Sequence, residues 1–61
     1  MNLSETIGQQ VRSLRLEKNM SLGQLAQISG ISKVMLSQIE KGVANPTINT
    51  LWKIANGLQV P

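Results

Sequence analysis

Four stretches of the chain carry apolar residues at the three-to-four spacing that puts them on one face of an α-helix. Ile7, Val11 and Leu14 mark the first, predicted over about residues 4–18, with Ser4 as its N-cap and Leu16 as a rim contact. Met1 to Leu3 read as a frayed end. Leu22, Leu25, Ala26 and Ile28 mark a second helix over 21–29, and Met35, Leu36 and Ile39 a third over 32–41. Ile48, Leu51, Ile54, Ala55 and Leu58 mark a fourth over 47–58. Trp52 falls beside that last stripe, and is expected to be partly buried against a neighbouring helix.

The polar and small residues between these stripes act as punctuation. Ser21, with Gln24 three residues on, has the spacing of a capping box. Gly30 stands where the chain must stop and reverse, a place that often needs positive φ. Ser32 is a second N-cap, and Lys41 with Gly42 closes the third helix. Asn19 suits a left-handed position after the first helix. Pro46 biases Asn45 towards extended backbone and leaves Thr47 as the cap of the fourth helix. Gly57 reads as a weak spot near that helix's end. Ala26 is small where the second and third helices would cross. Residues 21–42 therefore carry the helix-turn-helix spacing, and the fold class expected is all-α.

Composition narrows the function. Sixty-one residues make one small domain, and chains near this length bury only about 60% of their unfolded surface. No cysteine is present to staple the fold. With no histidine either, the usual structural-zinc ligands are missing, and three acidic residues make a carboxylate-only metal site unfavourable. No metal or cofactor is expected. Without His, Cys or Tyr, acid–base and nucleophilic work would fall on Ser, Lys or the dispersed Glu5, Glu17 and Glu40. There is also no Gly-rich phosphate loop. An enzyme is not expected. No signal peptide or membrane-length apolar run occurs, so a cytosolic location and no membrane partner are expected. Six Lys and Arg against three Glu give a formal charge of +3, which leans towards an anionic partner. A single Trp with no Phe or Tyr argues against stacking of single-stranded bases.

The wording of the chain resembles the helix-turn-helix of the phage repressor/Cro family, also called the XRE family. Leu25, Ala26, Gly30, Ile31, Leu36 and Ile39 stand at that family's core positions. Ile39-Glu40-Lys41-Gly42, then Asn45-Pro46-Thr47 and Leu51-Trp52-Lys53-Ile54-Ala55, are similar to its continuation into a fourth helix. The likeness covers about residues 6–60. It implies a compact, lambda repressor-like bundle of four to five short helices around a central helix-turn-helix. It further implies that Arg15 on helix 1 pairs with Glu40 at the end of helix 3, in competition with a phosphate contact by Arg15. After Leu58 a similar stretch in the family leads into a fifth helix, so the chain is expected to be the N-terminal part of a longer regulator. The Asn-Pro-Thr and Leu-Trp-Lys-Ile-Ala wording resembles regulators that continue into a small effector-sensing β-barrel, often of cupin type.

Helix geometry then assigns candidate contacts with double-stranded DNA. Leu36, Ile39 and part of Met35 seat the third helix, which leaves Ser32, Lys33, Val34, Ser37 and Gln38 free to enter a major groove. Lys33 can donate to guanine, Gln38 can pair with adenine, and Val34 can touch a thymine methyl. In the resembled family the matching positions are where sequence is read. Phosphate contacts are expected from Ser21, Leu22, Gln24 and Gln27 around the amides that open helix 2. Arg12, Lys41, Asn45 and Thr47 are expected to add to them, with Lys53 as further charge. The loop Val43-Ala44-Asn45 has no Lys or Arg where many relatives carry them, which points to modest half-site affinity. The expected assembly is a homodimer, formed on a near-palindromic operator or through a C-terminal region. The competing expectation is a protein-interaction module, such as the DNA-binding antitoxin of a toxin–antitoxin pair.

Overall fold

In the computed structural model, which describes residues 2–60, the chain forms α1 (Leu3–Glu17), α2 (Leu22–Ser29), α3 (Lys33–Glu40) and α4 (Ile48–Leu58). All four start in the same way. The residue before each helix is extended, and its side chain accepts a hydrogen bond from the amide three residues on: Asn2 from Glu5, Ser21 from Gln24, Ser32 from Met35 and Thr47 from Thr50. The first of these corrects the sequence reading. Asn2 rather than Ser4 caps α1, so Leu3 is already helical instead of frayed. Asn is among the strongest N-caps, and here its Oδ1 takes the Glu5 amide at 2.8 Å. The reading of Met1 as a frayed end lies outside the described residues.

The four helices also end alike. A left-handed residue follows each one: Asn19, Gly30, Gly42 and Gln59. The next amide then folds back on a carbonyl of the last turn, Met20 to Arg15, Ile31 to Ala26, Val43 to Gln38 and Val60 to Ala55, at 3.0–3.1 Å. These bonds satisfy carbonyls that a helix end otherwise leaves open. Gly30 takes φ of 72°, and the turn it makes sets α3 against α2.

Val11, Leu25, Ala26, Leu36, Ile39, Ile54 and Leu58 form the core, with Ile7, Leu14, Met20, Leu22, Ile31, Ala44 and Val60 packed around it. α2 lies against both α3 and α4, and α1 lies chiefly against α3. Two glycines permit close helix approach. A Cβ on Gly8 would overlap the carbonyl oxygen of Ile39 and lie 2.9 Å from that of Glu40. A Cβ on Gly57 would overlap the hydroxyl of buried Ser29 and meet Leu25 at 3.2 Å. Gly57 is thus a packing requirement of the α2–α4 contact and not the weak spot its position suggests.

Ile28 and Ile48, expected inside, are largely exposed at 61% and 85%, and Trp52, expected beside the stripe and partly buried, is exposed at 67%. The reason is angular. The inward arc of α2 is centred among Leu22, Leu25, Ala26 and Ser29, and at 100° per residue Ile28 lies about 110° from that centre. Around the Leu51, Ile54 and Leu58 side of α4, Ile48 and Trp52 are displaced by roughly 90° and 130°. Val60, just after α4, packs partly buried against the core. Among the described residues no helix is long and apolar enough to cross a membrane.

Candidate nucleic-acid interface

The site is built on α3, which is only eight residues long and must be held firmly to present anything. Leu36 and Ile39 are fully buried and anchor one face. Glu40, at the end of the helix, is gripped by Arg15 of α1. The same guanidinium reaches the carbonyl of Met20, just before α2. One side chain therefore ties α1, the start of α2 and the end of α3 together. Three of the five N–H donors of Arg15 are committed inside the protein and only 11% of its side chain is exposed, which favours the ion pair over a phosphate contact.

The opposite face of α3 is open. Ser32, Lys33, Val34 and Gln38 are exposed and Ser37 is half-buried. Lys33, Val34, Ser37 and Gln38 line one shallow groove, which Leu22 closes from α2 and Lys41 from the end of α3. Ser32 is not part of that lining. Its hydroxyl oxygen accepts the Met35 amide at 3.0 Å, so it acts first as the cap that starts the helix.

Of the residues expected at phosphates, Leu22 and Lys41 line this groove and the others do not. Arg12 is exposed on α1, Gln24 and Gln27 on α2, and Asn45 and Thr47 before α4. At the start of α2 the capping box is complete. The Ser21 amide donates to Gln24 Oε1 at 2.7 Å and the Gln24 amide to Ser21 Oγ at 3.0 Å. This leaves the amides of Leu22 and Gly23, the first two of the helix, aimed outward without an intrahelical acceptor. They stand at the positive end of the helix dipole, where an anion is favoured. Thr47 is more committed than the sequence suggests. Its hydroxyl takes the Thr50 amide at 3.1 Å and contacts the Thr50 hydroxyl at 3.0 Å.

The side chain of Leu22 is the feature that sequence reasoning placed differently. Its amide sits where an anion contact was expected, but the side chain joins the α3 groove. No local signal in the sequence gives this, because the contact depends on how α2 crosses α3. Among the described residues no cluster of three or more acidic, His or Cys side chains could hold a metal ion.

Comparison with known proteins places this geometry. Over 60 residues the chain is 47% identical to the HTH-type transcriptional regulator SutR of Escherichia coli K12, covering 98% of this chain and 34% of that regulator. The chain therefore spans about a third of that relative's length. The crystal structure of an HTH_3 family transcriptional regulator from Vibrio cholerae superposes with a TM-score of 0.92 at 48% identity, over 95% of this chain and 33% of that one. The restriction-modification controller protein C.Esp1396I, solved as a tetramer in complex with its natural 35-base-pair operator, superposes with a TM-score of 0.95 at 33% identity. That match covers all of this chain and 80% of the controller protein. The family model HTH_3, described as helix-turn-helix, matches residues 11–61, most of the sequence, and the chain belongs to that family.

Proposed function

We propose that this domain binds double-stranded DNA sequence-specifically as the reading head of a transcriptional regulator. α3 enters the major groove, where Lys33 donates to guanine O6 and N7, Gln38 pairs with adenine, and Ser37 adds an adaptable hydroxyl. The open amides of Leu22 and Gly23, with Gln27, Lys41, Asn45 and Arg12, hold the phosphates on either side. The domain acts as a dimer on a near-palindromic operator, with half-sites about one helical turn apart, ~10 bp centre to centre.

One observation carries this reading: a short helix whose inner face is wholly buried presents lysine, valine, serine and glutamine together on its outer face. Lysines flank the groove and no carboxylate lines it. The relatives support the reading, since one of them was solved on its operator. The test is to select bound sites from random duplexes, then compare operator with random DNA for the parent chain and for Lys33→Ala with Gln38→Ala. Both side chains are exposed, so the double variant is expected to melt like the parent and to lose its preference for the selected site. A variant that kept full preference would refute the assignment of α3 as the reading helix.

A further inference from the structure

We infer that Asn56–Gly57, near the end of α4, is a self-modification site. When that end loosens from α2, the chain converts its own asparagine to an aspartyl or isoaspartyl residue. The site is independent of what α3 binds.

The reaction needs an asparagine followed by an amide that can approach its side chain. The amide nitrogen of Gly57, once its proton has passed to a solvent base, attacks Cγ of Asn56. A C–N bond forms, the Cγ–Nδ2 bond breaks, and ammonia leaves behind a cyclic imide. Water then opens the ring at either carbonyl. One opening gives an aspartate and the other an isoaspartate, which carries an extra carbon in the main chain. A side chain on the following residue hinders the attack, and a proline there has no N–H to lose. Asn2, Asn19, Asn45 and Asn49 precede Leu3, Met20, Pro46 and Thr50, and Asn56 alone precedes a glycine.

The fold decides when the bond is open to attack. Gly57 lies within α4, where a helix gives its amide to the carbonyl four residues back and holds it away from the Asn56 side chain. The bond is protected while the last turn stays formed. That turn is anchored by Leu58, fully buried, and closed by the Val60 amide on the Ala55 carbonyl at 3.0 Å. It is also built of poor helix formers, asparagine and glycine. Its contact with α2 carries a cost as well. Gly57 packs on Ser29, where a Cβ would overlap the hydroxyl. That buried hydroxyl has no hydrogen-bond partner in the protein among the described residues. Opening the seam lets water solvate it, which offsets part of the cost of opening. Solvent is close at hand, because Ile28, Asn56, Gly57 and Leu58 line an open groove along the seam, with Lys18 its one charged side chain. Asn56 itself is exposed, so its carboxamide is free to turn once the backbone yields. The isoaspartyl product does not pack back as before. Its extra main-chain carbon displaces Gly57 and Leu58 where Ser29 and Leu25 leave no room.

The test uses the 61-residue chain, folded in mildly alkaline buffer and, in parallel, unfolded in urea. Conversion is read from the mass gain of proteolytic peptides and from isoaspartate-specific enzymatic methylation. Asn56 should be the first asparagine converted in both. In the folded chain it should react between about ten- and a thousandfold more slowly, as for opening of a helix end. Asn56→Gln, at an exposed position, should abolish the reaction and melt like the parent. Ser29→Ala removes the orphan hydroxyl, and should raise the melting temperature and slow conversion severalfold. The isolated isoaspartyl form should melt at least about 5 °C lower. Asn56→Asp, which has the charge without the extra carbon, should stay close to the parent. Protection below about tenfold would remove α4 as the gate, and protection beyond about a thousandfold would mean that only global unfolding frees the bond. A Ser29→Ala protein that reacts as fast as the parent, or an isoaspartyl form as stable as it, would sever the site from the α2–α4 seam. Any of these results would overturn the proposal.

Discussion

Arg15 and Glu40 are 25 residues apart in the chain and meet as a fork on a carboxylate, Nε donating to Oε2 at 2.8 Å and Nη2 to Oε1 at 2.9 Å. Nη1 closes on the Met20 carbonyl at 2.9 Å. Only 11% of the arginine side chain and 6% of the glutamate side chain remain exposed. Hydrogen bonding to Glu40 raises the Arg15 pKa above its ordinary value, against the opposing effect of burial and with a further contribution from the charge of Glu40. A base whose folded value is raised keeps its stabilising contribution below its unfolded value and loses it only as pH rises through the folded one. For arginine that window lies in strong alkali, so Arg15 should contribute no slope to stability across neutral pH.

Removing one partner is therefore the informative change. Glu40→Ala strands a mostly buried guanidinium and should cost about 3–5 kcal/mol. A domain of this length has only about 3–9 kcal/mol in total, so much of the population should be unfolded at 37 °C. Replacing both residues, as Arg15→Met with Glu40→Leu, should recover a large part of the loss, because apolar pairs often substitute for buried ion pairs. Thermal melts followed by circular dichroism would decide it. A single variant as stable as the parent would show that the pair does not fix α1 on α3.

Gly8 gives a second prediction on the same seam. Alanine is the better helix former by about 1 kcal/mol, so on propensity Gly8→Ala should stabilise α1. The new methyl would instead overlap the Ile39 carbonyl oxygen, and backbone cannot rotate aside as a side chain can. The expected result is net destabilisation of at least about 2 kcal/mol, as for overpacked cores. Because α3 would be pushed outward, operator binding should weaken more than stability alone explains. A raised melting temperature would contradict the close approach.

The helix-turn-helix was legible because its signals are local. Ser21 with Gln24, Gly30, and the Leu36 and Ile39 stripe each state their role within four residues. What the sequence left ambiguous depends on partners far along the chain. Gly8 means little until Ile39 and Glu40 are placed against it, and Gly57 looks like a flaw until Ser29 and Leu25 occupy the space it leaves. Ile28 and Ile48 read as inward from their hydrophobicity and spacing, which is a one-way rule: buried positions are apolar, but apolar residues need not be buried. At the site, the exposed face of α3 was readable by elimination. The groove was not, since it needs Leu22 from another helix.

Trp52 offers the most direct check on that outward face of α4. With 67% of it exposed and no other tryptophan in the chain, its emission should be close to that of a solvated indole and readily quenched by acrylamide. Trp52→Ala should change stability by no more than about 0.5 kcal/mol, as surface substitutions do. A blue-shifted, protected emission in dilute solution, or a large loss of stability, would mean that the ring is covered.

Salt dependence separates the two kinds of contact assigned to the lysines. Lys33 is proposed to read a base and Lys41 to hold a phosphate, although both line the same groove. A phosphate contact releases counterions, so log affinity falls linearly with log salt, by about 0.9 per neutralised phosphate. Lys41→Ala should weaken operator and random DNA by a similar factor and lower that slope by about one. Lys33→Ala should weaken the operator selectively, by the equivalent of about 1–3 kcal/mol, and relax the preference at one guanine. Titrations at three or more salt concentrations on both duplexes would separate these effects. If Lys41→Ala changed selectivity instead of slope, the end of α3 would have to lie deeper in the duplex, with Lys33 nearer the backbone, and the polarity of the helix in the groove would be reversed.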